Sequence, residues 1–115
     1  MERLGVLLPA VEIQAHSAPL GLAFYTGTMF PGEFRGDLFV ALHGSWNRST
    51  PVGYALIRIP MAAGRPGAPQ EVVTGWLQGS RAWGRPVDVI TGKDGALYVS
   101  DDSAGAIYRI TYSGR

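Results

Sequence analysis

His43 closes an apolar run, Leu38–Leu42, at the point where a strand would hand a side chain to a loop. A histidine there can take a proton near neutral pH, or it can simply hydrogen-bond within its loop. Trp46, Trp76 and Trp83 are the only indoles, and Trp46 sits beside Asn47 and Arg48. Indoles in polar loops make flat, polar-rimmed platforms that stack on sugar rings. His43, Trp46 and Trp83 are therefore the candidate ligand-binding residues, whereas Trp76 reads better as packing between elements. Asp101-Asp102 follow an apolar strand, where adjacent carboxylates either help bind a hard cation or cap a tight turn before Ser103-Ala104-Gly105. The turn is the favoured reading, and no metal ligand is assigned. His16-Ser17 has no third partner and no strand-to-helix elbow, so hydrolase chemistry is not supported. No residue is assigned as catalytic.

The elements that must position these residues are strands. Sixteen glycines and eight prolines in 115 residues leave little room for long helices. Runs of strand character bounded by Gly, Pro, Asn and Asp occur at Val11–Gln14, Leu20–Thr26, Asp37–Leu42, Tyr54–Ile59, Glu71–Thr74, Val87–Thr91, Ala96–Ser100 and Ala106–Tyr112. An all-β fold follows.

The runs repeat. Phe24-Tyr25-Thr26-Gly27, Gly36-Asp37-Leu38-Phe39-Val40 and Gly53-Tyr54-Ala55-Leu56-Ile57-Arg58-Ile59 form one unit. Val89-Ile90-Thr91-Gly92, Gly95-Ala96-Leu97-Tyr98-Val99 and Gly105-Ala106-Ile107-Tyr108-Arg109-Ile110 form the second, with Arg58 and Arg109 at equivalent positions. A repeated four-stranded meander is a β-propeller blade. The expected organisation is a single two-blade unit: a first blade over 20–74, and a second over 87–112 that lacks its outer strand. Residues 11–14 are expected to be an outer strand completing a neighbour's blade. Three chains would then close a six-bladed ring, a homotrimer with itself as partner. Arg58 and Arg109 are expected to make structural pairs at the blade surface.

Composition bounds the function. Hydrophobic residues make up 46% and charged residues 17%, which is a globular balance. A net charge of +1 gives no field to draw in nucleic acid or an anionic membrane. Without cysteine there is neither a disulfide framework nor a thiolate metal site. The opening residues are too short and too weakly apolar for a signal peptide or a span, so the chain reads as soluble.

From His16 onward the chain resembles the six-bladed pyrroloquinoline quinone-dependent sugar dehydrogenases of the sorbosone/aldose branch. The residues that carry this are Ala18-Pro19-Leu20-Gly21-Leu22-Ala23-Phe24-Tyr25-Thr26-Gly27, Phe34-Arg35-Gly36-Asp37-Leu38-Phe39-Val40 and His43-Gly44-Ser45-Trp46-Asn47-Arg48. Trp83-Gly84-Arg85-Pro86-Val87-Asp88-Val89 and Asp94-Gly95-Ala96-Leu97-Tyr98-Val99-Ser100-Asp101-Asp102 continue it in order. The resemblance implies an oxidoreductase of sugars or aldehydes, with pyrroloquinoline quinone and calcium as cofactors, in a family whose members are often exported. It also implies that Arg85 grips a cofactor carboxylate and that Arg48 makes a cationic cofactor contact. Position 87 is Val, so the family's second arginine is absent. The blades that carry the family's catalytic base and most of its calcium site have no counterpart here, so catalysis by this chain alone is not expected. The alternatives are an oligomeric, lectin-like propeller that binds a sugar or small anion, and a structural remnant with no ligand.

Overall fold

Leu38-Phe39-Val40-Ala41-Leu42 is an unbroken apolar run, and it forms a strand covered on both faces. The structure is a computed structural model that describes residues 9–45 and 50–113. In chain order the strands are β1 (Pro19–Phe24), β2 (Leu38–Leu42), β3 (Ala55–Ile59), β4 (Met61–Ala62), β5 (Arg65–Pro66) and β6 (Gln70–Val73). They continue with β7 (Leu77–Gln78), β8 (Arg81–Ala82), β9 (Pro86–Thr91), β10 (Leu97–Asp101) and β11 (Ala106–Ile110), and a 3₁₀ turn spans Gly32–Phe34. One sheet has the order β1-β2-β3-β6 and the other β11-β10-β9, with every pairing antiparallel. The chain is all-β, as expected. The pairs β4-β5 and β7-β8 are short hairpins. Ala63 and Gly64 turn the first of these with positive φ, the backbone a two-residue hairpin demands. No helix among the described residues is long and apolar enough to cross a membrane.

The repeat is exact in register on its second and third strands. Leu38 faces Ile59 and Phe39 faces Arg58, while Leu97 faces Ile110 and Tyr98 faces Arg109. The first strand corrects the sequence alignment by two residues. Phe24 pairs with Leu38 as Thr91 pairs with Leu97, so Phe24 matches Thr91 rather than Val89. A shift of two keeps every side chain on its face, which is why the pattern alone did not resolve it. In this register Pro19 matches Pro86, and each opens its strand beside a bulge.

Residues 11–14 form no strand among the described elements. Val11 and Ile13 instead pack on the outward face of the first sheet, against Val40, Leu42, Ile57 and Ile59. They alternate with exposed Glu12 and Gln14, so the period-two pattern that suggested a strand marks an extended segment lying on a sheet.

The main core lies between the sheets and holds Tyr25, Phe39, Leu56, Trp76, Val89, Leu97 and Val99. Trp76 is buried there, as its expected packing role requires. Tyr25 staples the blades at one end: its hydroxyl donates to the Gly95 carbonyl at 2.6 Å and accepts the Phe30 amide at 3.0 Å. Tyr25→Phe leaves both partners short in a buried place, at a cost of about 2 kcal/mol. Thermal unfolding should show a midpoint lowered by roughly 5–10 °C. An unchanged midpoint would mean that the hydroxyl does not tie the blades.

Candidate functional site

Antiparallel pairing brings the starts of β1 and β9 to the same end of the molecule as the finishes of β2 and β10. Four loops meet there, and the sequence candidates His43 and Arg85 sit among them. Arg85 precedes β9, and its Nε donates to the His43 carbonyl at 3.1 Å. Its Nη2 donates to the carbonyls of Gly44 at 2.9 Å and Ser45 at 3.1 Å. Its guanidinium carbon also lies 5.5 Å from the Tyr54 ring centroid. One arginine thus gathers three successive carbonyls of the loop after β2, which no neighbouring strand satisfies.

That loop is shaped to permit this. Gly44 has φ of 105°, a left-handed conformation in which a side chain is strained, and a Cβ there would overlap the Tyr54 ring. Tyr54, itself at φ 59°, donates its hydroxyl to the Ser45 carbonyl at 2.6 Å. The Ser45 hydroxyl accepts the Val52 amide at 2.9 Å, which returns the chain towards β3.

Asp101 is the buried hub on the other sheet. Its Oδ1 accepts the amides of Arg85 at 3.0 Å and of Ser103 and Ala104, each at 2.9 Å. Its Oδ2 accepts the Tyr108 hydroxyl at 2.7 Å. Burial pushes this carboxyl up, but the Ala104 and Arg85 amides, the Tyr108 hydroxyl and the Ser103 amide together outweigh it. The net result lies below the ordinary aspartate value of 3.8. The same surroundings raise Tyr108, first through burial and then through its bond to Asp101. A Cβ at Gly84 would run into both the Asp101 carboxylate and the Trp76 ring, so glycine is needed there. Of the two readings of Asp101-Asp102, the geometry at Asp101 is that of a turn cap.

Asp102 reaches back across the blades, with Oδ1 2.9 Å from Nε2 of His43. Its side chain is 66% exposed, so the pair contributes at most about 1 kcal/mol. Trp83 is 52% exposed; its Nε1 donates to the Gly75 carbonyl at 2.6 Å, and its ring meets the Tyr108 edge at 6.2 Å. Trp83 therefore joins the same network through Tyr108 and Asp101. Trp46 and Arg48 lie outside the described residues.

The repeat arginines behave as structural partners. Arg58 Nε donates to buried Asp37 at 2.6 Å, and Arg109 holds exposed Asp94 at 2.8 Å. The Ala96 amide, and then Arg109, lower Asp94 below its ordinary value.

The quinone and calcium implied by the resemblance can be tested against this donor set. A tricarboxylate quinone calls for several free cations in convergent positions. Here one guanidinium has two of its nitrogens on carbonyls and shares its end of the molecule with two carboxylates. Among the described residues no group of three or more His, Asp or Glu gathers in a way that could hold a metal ion. The described residues alone do not fit either group.

Comparison with known proteins places this geometry. Residues 4–113 match the TrAA12-like family profile. An uncharacterised protein of Borreliella burgdorferi is 42% identical over 109 residues, which cover 91% of this chain and 29% of that protein. The pyrroloquinoline quinone-dependent pyranose dehydrogenase of Coprinopsis cinerea is 34% identical over 122 residues, covering 89% of this chain and 16% of that enzyme. The iodide structure of the Trichoderma reesei family AA12 carbohydrate-active enzyme superposes with a TM-score of 0.69 at 28% identity, over 86% of this chain and 26% of that one. The holo pyranose dehydrogenase quinone domain of Coprinopsis cinerea gives 0.64 at 31% identity, over 84% and 27%. The chain thus spans less than a third of the length of the relatives it matches, and it corresponds to part of their propeller. On this match it belongs to the TrAA12-like family.

Proposed function

We propose that the chain is a two-blade sector of a quinone-dependent sugar dehydrogenase propeller, which supplies scaffold and wall to a cofactor site that it does not complete by itself. What supports the reading is the state of Arg85, whose Nε and Nη2 are bound to three carbonyls. In the whole propeller, Nη1 of Arg85 is the group through which the sector would meet a cofactor carboxylate, and Arg48 is the second cation that the resemblance implies. Sugar oxidation belongs to a ring that also carries the sectors this chain lacks. The test is a titration of the chain with pyrroloquinoline quinone and calcium, followed by quinone absorbance and by dye reduction on adding aldoses. Without those sectors the contact stays partial, so Kd is expected at about 1 mM or weaker, with no turnover. Saturable binding at micromolar quinone, or any turnover, would overturn the reading.

A second reading, a sugar-binding propeller, is favoured by Trp83. Its ring is half-exposed yet fixed by the Gly75 carbonyl and Tyr108, a rigid platform of the kind that stacks on pyranoses. Indole fluorescence titrated with monosaccharides and glycans would show saturable quenching that Trp83→Ala abolishes. A flat titration would remove this reading.

A further inference from the structure

Exposed large apolar residues on this chain concentrate on two sheet faces. On the first sheet Leu20, Leu22 and Phe24 are 49%, 58% and 52% exposed; on the second Ile90 and Ile107 are 57% and 74% exposed. Ile90 and Ile107 flank an open cleft of about 170 Å³ that Tyr98 and Ser100 also line. Contiguous exposure of this kind marks a surface meant to be covered.

The internal repeat says what covers it. At the junction between the blades, Ala23, Phe39 and Leu56 of the first sheet pack with Val89, Leu97 and Val99 of the second. Through the strand registers, Ile90, Tyr98 and Ile107 are the repeat counterparts of Ala23, Phe39 and Leu56. Leu22, Leu38 and Val40 are likewise the counterparts of Val89, Leu97 and Val99. Each outer face therefore repeats one half of a junction the chain already makes with itself; the exchanges keep apolar side chains except that Tyr98 stands for Phe39, with its hydroxyl turned to Asp94. The outer part of the two contacts also corresponds. Trp76 and Leu77 pack in the cluster with Tyr108 and Ile110, while Val11 and Ile13 lie over their counterparts Ile57 and Ile59. Only the inner part of the outward face is left open.

We propose that a second copy of the chain seats Ile90, Tyr98 and Ile107 on Leu22, Phe24 and Leu38, head to tail, beside Val40, which Val11 and Ile13 already cover. The contact is heterologous, so it propagates, and three copies with two sheets each close the six-sheet ring of the related propellers. Val11–Gln14 stays on its own first sheet in this arrangement. The inference rests on the propeller-sector reading.

Light scattering on the purified full chain tests it, with Leu22→Asp and Ile107→Asp as variants. Both positions are exposed, so the variants should keep wild-type circular dichroism, with a thermal midpoint lowered only by the loss of assembly. The wild type should weigh three times the 12.3 kDa chain. Each variant alone should be monomeric, because each has lost one of its two faces. Mixed in equal amounts, they should form a species of twice the chain mass, in which the intact second sheet of Leu22→Asp docks on the intact first sheet of Ile107→Asp. A folded monomeric wild type, variants that assemble like the wild type, or variants that do not combine when mixed would each overturn the docking. The quinone titration is read separately, so loss of the docking and loss of the sector reading are distinguishable.

Discussion

Asp101→Ala is expected to destabilise the chain by about 3 kcal/mol, a large share of what a domain of this size holds in reserve. The carboxylate accepts four hydrogen bonds, and two of its donors, the Arg85 amide and the Tyr108 hydroxyl, are partly buried at the blade junction. The Ser103 and Ala104 amides lie on an exposed turn and regain water, so they add less. Asp101→Asn keeps an acceptor at Oδ1 and should cost about half as much. The acid limb separates the charge from the shape. Because the folded carboxyl titrates below its ordinary value, its contribution is fully present above the unfolded value of 3.8 and is lost as pH falls through the lower folded one. Urea unfolding should therefore show the gap between wild type and Asp101→Asn narrowing below pH 3.8. A gap that stays constant with pH would remove the carboxylate from the account.

Arg85→Ala should cost a similar amount, about 3 kcal/mol, for a different reason. It strands the carbonyls of His43 and Gly44, leaves Ser45 with only the Tyr54 hydroxyl, and removes the cation over Tyr54. Arg85→Lys should recover less than half, because a point charge reaches one carbonyl where the planar fork reaches three. Amide exchange resolved by residue should speed up around residues 43–45 and 52–54, leaving the β10-β11 ladder protected. Because Asp101 pins the backbone at residue 85 from which the guanidinium reaches the loop, losing Asp101 also loosens the Arg85 contacts, and the double alanine variant should fall short of the summed losses by about 1 kcal/mol. Strict additivity would mean that the two residues do not share a junction.

The sheets were legible because their signals are local. The apolar run Leu38–Leu42 and the Lys93-Asp94-Gly95 turn state a strand and a tight turn from neighbouring residues alone. The pairing of Arg58 and Arg109 could be read too, since each stands at the same place in a repeat of known period. Val11–Gln14 forms no strand within this chain, because alternation reports one covered face and not a ladder partner. An extended segment lying on a sheet alternates just as a strand does.

The sequence named residues that the structure brings together, but not the bonds they make. His43 and Arg85 do meet, but Arg85 spends its donors on main-chain carbonyls, and a carbonyl has no sequence signature. The partner of His43, Asp102, lies 59 residues away, and only the packing of β9 and β10 against the first sheet brings it near. Tyr54 and Tyr108 were missed although their partners are near in sequence. Each turns its hydroxyl back across the preceding loop, onto Ser45 nine residues before Tyr54 and onto Asp101 seven before Tyr108, and nothing in the residue pattern marks which group a tyrosine hydroxyl meets. Glycine at 84 is now explained by the carboxylate and indole that crowd it.

The central claim is that Arg85 closes the blade junction and is not poised in open solvent for a ligand. Nitrogen-15 NMR of the Arg85 Nε–Hε group in the isolated chain, with and without pyrroloquinoline quinone and calcium, tests it most directly. The account predicts a slowly exchanging Hε whose shift does not respond to quinone, as a donor locked on the His43 carbonyl requires. A rapidly exchanging Hε, or one whose shift moves to saturation as quinone is added, would contradict it.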